Sequence, residues 1–146
     1  MKRYKSIKSD SGSKSGKSRP SSKTLSKKGN KTMTHEMNLH DSPFDMIKSG
    51  KKIYELRLYD EKRRNIKVGD EILFTRSRGG DDSMRCLVVG LHLFDSFEEL
   101  YSSLPLLKCG YTEEDIHTAH YSDMDIYYSK ERQASCGVVA IEIKLV

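Results

Sequence analysis

From Met37 to Val146 the apolar residues fall into short runs of two periods, and the switches between them mark the elements. The run 37–39 (MNL) predicts a strand. Ser42 before Pro43 predicts a helix N-cap with proline at the first helical position, and Gly50 supplies the stop. Phe44 and Ile47 then lie on one side of a two-turn helix. Residues 52–60 (KIYELRLYD) are rich in strand formers and alternate: Tyr54, Leu56 and Leu58 face one way, Ile53, Glu55 and Arg57 the other. A charged turn (EKRRN, 61–65) precedes Val68-Gly69-Asp70, a turn feeding a strand over 71–76. RGGDD (78–82) reads as a loop.

The second half predicts a long buried strand over 84–94, with a bulge at Gly90 where the sheet curls. Ser96 and Glu99 form a capping box opening a helix to about Ser103. Thr112 with Asp115 opens a second helix expected to run toward Ser122, followed by a short helical turn around 125–129. The final run 137–146 starts continuously apolar and then alternates, as an inner sheet strand does. About five or six strands with two or three short helices make this an α+β chain, a small β-barrel with helical insertions. Short turns between strand pairs disfavour an open parallel sheet.

Charge changes the picture, because the chain is two polymers joined. Residues 1–34 carry eleven Lys and Arg against one acid, Asp10, a charge of +10. The fifteen bases and twenty acids of residues 35–146 give −5, so the overall +5 is a sum of opposites. Residues 1–34, rich in Ser, Lys and Gly, have almost nothing to bury and are expected to be a disordered basic extension. It reads either as an electrostatic arm touching phosphates without reading sequence, or as a solubilising extension ahead of a start at Met33. Residues 35–146 suffice for one hydrophobic core without metal or disulfide staples. No apolar run approaches the ~20 residues that span a bilayer, and no apolar h-region follows the basic start. Three widely spaced cysteines, with no CxxC pair, read as reduced thiols of a cytoplasmic protein.

The richest chemistry lies in 50–57 (GKKIYELR). Glu55 and Arg57 share a strand face with Cα atoms ~6.6 Å apart. Lys52 has the opposite parity and joins them only if the strand starts or bulges just after it. Together the three would offer two cations and one carboxylate. Arg57 suits bidentate recognition of a phosphate or base edge, and Glu55 can accept from an exocyclic amine or orient a water. The competing reading is an exposed strand face whose charges pair across a rung, worth little energy.

The spacing Gly50-x-Lys52-x-x-Glu55-x-Arg57 resembles the GxKxxExR signature of the ASCH domain, a PUA-like β-barrel family. Residues 38–74 resemble the family's first half and 127–146 its closing segment, so the likeness covers roughly 37–146. It implies a cleft beside the barrel that holds Lys52, Glu55 and Arg57, with Gly50 permitting the helix-to-strand turn, and RNA or a (modified) nucleotide as ligand. A bacterial branch of the family hydrolyses the amide of N4-acylated cytidines. This chain resembles it in the motif lysine but has Glu55 where that branch has its threonine nucleophile. The alternative function is therefore a small amidohydrolase in which Glu55 is general base on a water and Lys52 stabilises the oxyanion; a ribonuclease is a further one. A third is a vestigial cleft on a protein–protein contact domain. No cofactor is implied.

Around the motif, Arg63 and Arg64 read as rim phosphate contacts or as part of a charged turn with Asp60 and Glu61. Tyr127 and Tyr128 could stack on a base or pack into the core, one of the pair doing each. His117 and His120, at i and i+3 on the expected helix near Asp123 and Asp125, lack a third ligand, so no metal site is expected. His35, His40 and His92 read as structural. There is no GxSxG and no Gly-rich phosphate loop. The charge of −5 disfavours a long duplex across the domain, whereas a local positive patch accommodates one or a few nucleotides.

Overall fold

The computed structural model describes residues 5–8, 32–77 and 82–146. Its elements are β1 (Lys5–Lys8), β2 (Thr34–Leu39), α1 (Asp41–Lys48), β3 (Tyr54–Leu58), α2 (Glu61–Arg64), β4 (Glu71–Arg76), β5 (Ser83–Phe94), α3 (Phe97–Ser103), α4 (Lys130–Cys136) and β6 (Val138–Leu145). Between α3 and α4 run the 3-10 turns Leu106–Lys108, Ile116–Thr118 and Tyr121–Ile126. The strands form one curled half-barrel sheet in the order β2-β4-β5-β6-β3, with β1 added beside β5. The fold is α+β, consistent with a small PUA-like barrel.

Strand β5 is the spine. It pairs antiparallel with β4 over Ser83–Leu87, with β6 over Cys86–Phe94, and with β1 over Gly90–Leu93. The β1 pairing puts Lys5–Lys8 in the sheet, where the composition of the extension predicts no order; the rest of 1–31 lies outside the described residues, as does most of the RGGDD loop. The parallel β2–β4 pair and the antiparallel β3–β6 pair complete the sheet and leave β2 and β3 as its two ends. Between the pairs Val88–Ile143 and Gly90–Glu142 the β5–β6 register slips, so Val89 is the extra residue of a bulge. The expected bulge is there, one residue before the glycine. A Cβ at Gly90 would sit 2.9 Å from Glu142 Oε1 and 3.3 Å from His92 Nε2, so a side chain there would have to displace the Glu142 carboxylate.

Both faces of the sheet are covered, and this explains the continuous apolar start of β6. Val139, Ile141 and Ile143 pack with Met37, Phe44, Ile72 and Phe74 on the concave side. Val138 and Ala140 pack with Tyr54, Leu56, Leu58, Phe97 and Leu100 on the other. Cross-strand partners share a face. Glu55 pairs with Ile141 and Arg57 with Val139, so both charged residues stand on the concave side, at the β3 end of the sheet.

Several local expectations are corrected. Helix α1 starts at Asp41 with His40 as N-cap and no side-chain cap bond, so Ser42 is not the cap. Pro43 is tolerated there because N–H groups of a first helical turn have no intrahelical acceptor. The turn at 61–65 is one turn of helix, with the Asp60 carboxylate accepting from Arg63 N. No single helix runs from Thr112 to Ser122. The chain is extended at Ala119 (φ −65°, ψ 133°), and a second capping arrangement between His120 and Asp123 restarts a separate turn. Helix α4, which the residue pattern does not predict, begins where Ser129 accepts from Arg132 N. Among the described residues no helix is long and apolar enough to cross a membrane.

Candidate functional site

The site begins with the end of α1. Gly50 has φ +87°, in the region that favours glycine, and the amides of Lys51 and Lys52 both return to the Met46 carbonyl at 2.9 and 3.1 Å. Ladder pairing starts only at Tyr54, so Lys52 is outside the strand and free of its parity. That is the condition for Lys52 to join Glu55 and Arg57, and it does. Lys52 Nζ lies 2.9 Å from Glu55 Oε1, and Arg57 Nε donates to Glu55 Oε2 at 2.7 Å. Arg57 Nη2 also donates to the Asn38 carbonyl at 3.2 Å, bridging β3 to β2 across the open side of the half-barrel.

Burial makes this cluster strong and costly. Glu55 is 4% exposed and Lys52 8%. Burial raises the Glu55 pKa, but attraction to Lys52 and Arg57 outweighs it and holds the carboxyl below its ordinary value. Burial likewise lowers the Arg57 pKa, and Glu55 more than restores it, so the guanidinium is held above its ordinary value. The cluster is two cations around one carboxylate, a local +1 on a body that carries −5.

These heads line a cleft of ≈ 680 Å³. That is within the range of about 300–1,000 Å³ typical of small-ligand sites. Asn38, Leu39 and His40 of the β2 end border it, with Tyr101 from α3 and the segments 109–111, 122–124 and 126–128. Tyr127 and Tyr128 are both in the lining but differ in state. Tyr127 is 59% exposed. Tyr128 stacks on Phe97 with centroids 6.1 Å apart, and burial raises its pKa despite the opposing pull of Arg57.

Other expected site residues stand elsewhere. Gly50 borders a smaller neighbouring hollow that it shares with Lys52. Arg63 is turned onto Asp60, with Nη1 3.2 Å from Oδ2. Arg64 lies over the Tyr59 ring at 4.4 Å and donates to the Cys136 carbonyl. Neither arginine lines the cleft. His117 and His120 are in separate turns, His120 being used as a cap for Ser122 N. Among the described residues no three His, Cys, Asp or Glu side chains gather as a metal would need.

Sequence reasoning missed Gly110, Tyr101 and Tyr111, and considered Asp123 only beside His117 and His120. Gly110 (φ +118°) faces the lysine stem, and a Cβ there would lie 3.5 Å from Lys52 Cδ. The only signal was a glycine in CGYT ahead of the Thr112 cap. Tyr101 Oη and Tyr111 Oη are 2.7 Å apart, and Tyr111 donates to Asp123 Oδ2 at 2.6 Å. Nothing in their spacing marks that chain, because its members come from helix α3, the loop at Tyr111 and the 3-10 turn Tyr121–Ile126.

The curled α+β half-barrel is consistent with the small PUA-like barrels, and here a charged cleft lies between its two sheet ends. Within that class the chain belongs to the ASCH-domain family, whose model matches residues 37–146. Solved structures similar to it include the following two. The crystal structure of hypothetical protein PH0355 is 36% identical over 78% of this chain and 100% of that one, with TM-score 0.65. The solution structure of protein PF0455 from Pyrococcus furiosus is 36% identical over 78% of this chain and 98% of that one, with TM-score 0.57. None of the curated proteins matches.

Proposed function

We propose that residues 35–146 bind RNA or a (modified) nucleotide in the cleft beside Lys52, Glu55 and Arg57, one or a few nucleotides at a time, without catalysis. The observation that carries this reading is the meeting of an ammonium, a carboxylate and a guanidinium at the wall of a nucleoside-sized cleft. Arg57 has committed Nε to Glu55 and one Nη2 hydrogen to Asn38, and its remaining N–H donors suit a phosphate or a base acceptor. Lys52 adds an ammonium, held 2.9 Å from Glu55 Oε1, whose three hydrogens are donors only. Tyr127, exposed at the cleft, offers a ring for stacking. Membership of the ASCH family, whose domains the resemblance links to RNA, supports the same reading.

Glu55 argues against hydrolysis. A general base works best with a pKa near the operating pH. This carboxylate has a cation at each oxygen and a pKa held below its ordinary value. It suits the role of a fixed counter-ion that keeps two buried cations in place. Incubation of the full chain with N4-acylated cytidines and short single-stranded RNAs, followed by chromatography, reads retention and turnover together. Retention without product is expected; product would assign an amidohydrolase or a ribonuclease, and neither retention nor product would end the cleft reading.

A further inference from the structure

The cleft has a second polar wall, made by Tyr101, Tyr111 and Asp123. Its hydrogen bonds have a direction. Asp123 Oδ2 is a carboxylate oxygen and can only accept, so the hydrogen at 2.6 Å belongs to Tyr111. With its own proton spent, Tyr111 Oη can only accept at its 2.7 Å contact with Tyr101, so the Tyr101 hydrogen points to Tyr111. Asp123 Oδ2 is itself steadied by the His120 amide at 3.2 Å. Burial is the first cause that pushes the Tyr101 phenol up to about 12, and burial followed by the Asp123 bond raises that of Tyr111, so both keep their protons near neutrality. Tyr101 has no other hydrogen-bond partner among the described residues, which leaves its oxygen lone pairs for the cleft.

The two walls are therefore chemically opposite. Lys52 and Arg57 donate, whereas Tyr101 is held as an acceptor. We propose that the Tyr101–Tyr111–Asp123 chain is the specificity element of the cleft, selecting bases that present an exocyclic amine over those with a carbonyl or a bare hydrogen at that position. This rests on the cleft-binding reading above. A site with an oriented acceptor gains from an N–H, gains nothing from a C–H, and opposes a carbonyl oxygen across its lone pairs.

The test is titration calorimetry of the full chain with two matched nucleoside series: cytidine, pyrimidin-2-one riboside and uridine; adenosine, purine riboside and inosine. In each series that binds, the amine is expected to bind about tenfold more tightly than the bare analogue, the scale of one hydrogen bond to a polarised acceptor, and the carbonyl to bind most weakly. Tyr101→Phe removes the acceptor and should level the series. Tyr111→Phe removes the acceptor of the Tyr101 proton, which can then donate into the cleft, so the carbonyl nucleoside should overtake the amine. A purely structural chain would weaken all ligands alike. Measurable binding with no amine preference in the wild-type protein overturns the inference without needing any variant, and so do variants that keep the wild-type ratios. In both cases the cleft reading survives. Absence of binding by all six nucleosides and by short RNA would instead overturn the cleft reading, and this inference with it.

Discussion

Glu55 is a carboxylate placed among apolar neighbours to hold two cations in a fixed geometry. Removing one partner of a buried charge group costs about 3–5 kcal/mol, because the remaining charge loses its compensation. Glu55→Gln is therefore expected to lower unfolding free energy by about that much in urea titration, and a loss under about 1 kcal/mol would contradict the role. The same group makes stability depend on pH. Its folded pKa lies below the unfolded one, so its contribution is present above the ordinary carboxylate range and is lost as pH falls through the depressed folded value. Asp70 has the same sign. Burial raises its pKa, but His35 at 2.8 Å and the amides of Lys67 and Met33 outweigh this and lower it. Asp70→Asn should therefore lose stability at neutral pH and show a flatter decline on acidification. An unchanged acid-unfolding curve would remove Asp70 from this account. The shared face of Glu55 and Arg57 was legible from alternation alone. The arrival of Lys52 was not, since it depends on the Met46 carbonyl taking the Lys52 amide and delaying the strand to Tyr54.

At the scale of elements, α4 ends on Gly137 with φ 72° and ψ −176°, a conformation that is essentially glycine's alone. A Cβ there would also meet the Phe94 carbonyl oxygen at 3.2 Å. Gly137→Ala should cost about 1–3 kcal/mol and lower the thermal midpoint, and a neutral outcome in a melt would refute the strain. The strands on either side were readable because they are apolar with period two and bounded by turns. The segment 112–136 was not. Thr112 and Asp115 satisfy one another locally, which looks like a helix start yet supports only short turns. Helix α4 buries none of its residues, so no apolar stripe announces it. Of the Tyr101–Tyr111–Asp123 chain only Asp123 sits in this segment, so the helix that carries Tyr101 was legible while its distant partner was not.

The whole molecule combines a basic extension with an acidic domain, and the two should divide the binding between them. Removing residues 1–31 takes away +10 and spares the Met33 amide that Asp70 holds. It also removes β1 from the Gly90–Leu93 stretch of β5. If the extension is a phosphate-contacting arm, affinity for short single-stranded RNA at low salt should fall severalfold and its salt dependence should flatten, with nucleoside affinity unchanged. Unaltered low-salt affinity would leave the extension without that role. The cleft itself is tested most directly through Arg57, which joins the carboxylate, the β2 carbonyl and the cleft in one side chain. Titration of wild-type and Arg57→Ala chains with a short single-stranded RNA at physiological salt, beside thermal melts of both, separates binding from folding. A loss of about ten- to hundredfold in affinity, the scale of one or two charge-assisted hydrogen bonds, is expected from a variant that still melts cooperatively. Equal affinity of the two folded chains would contradict the placement of the ligand in this cleft.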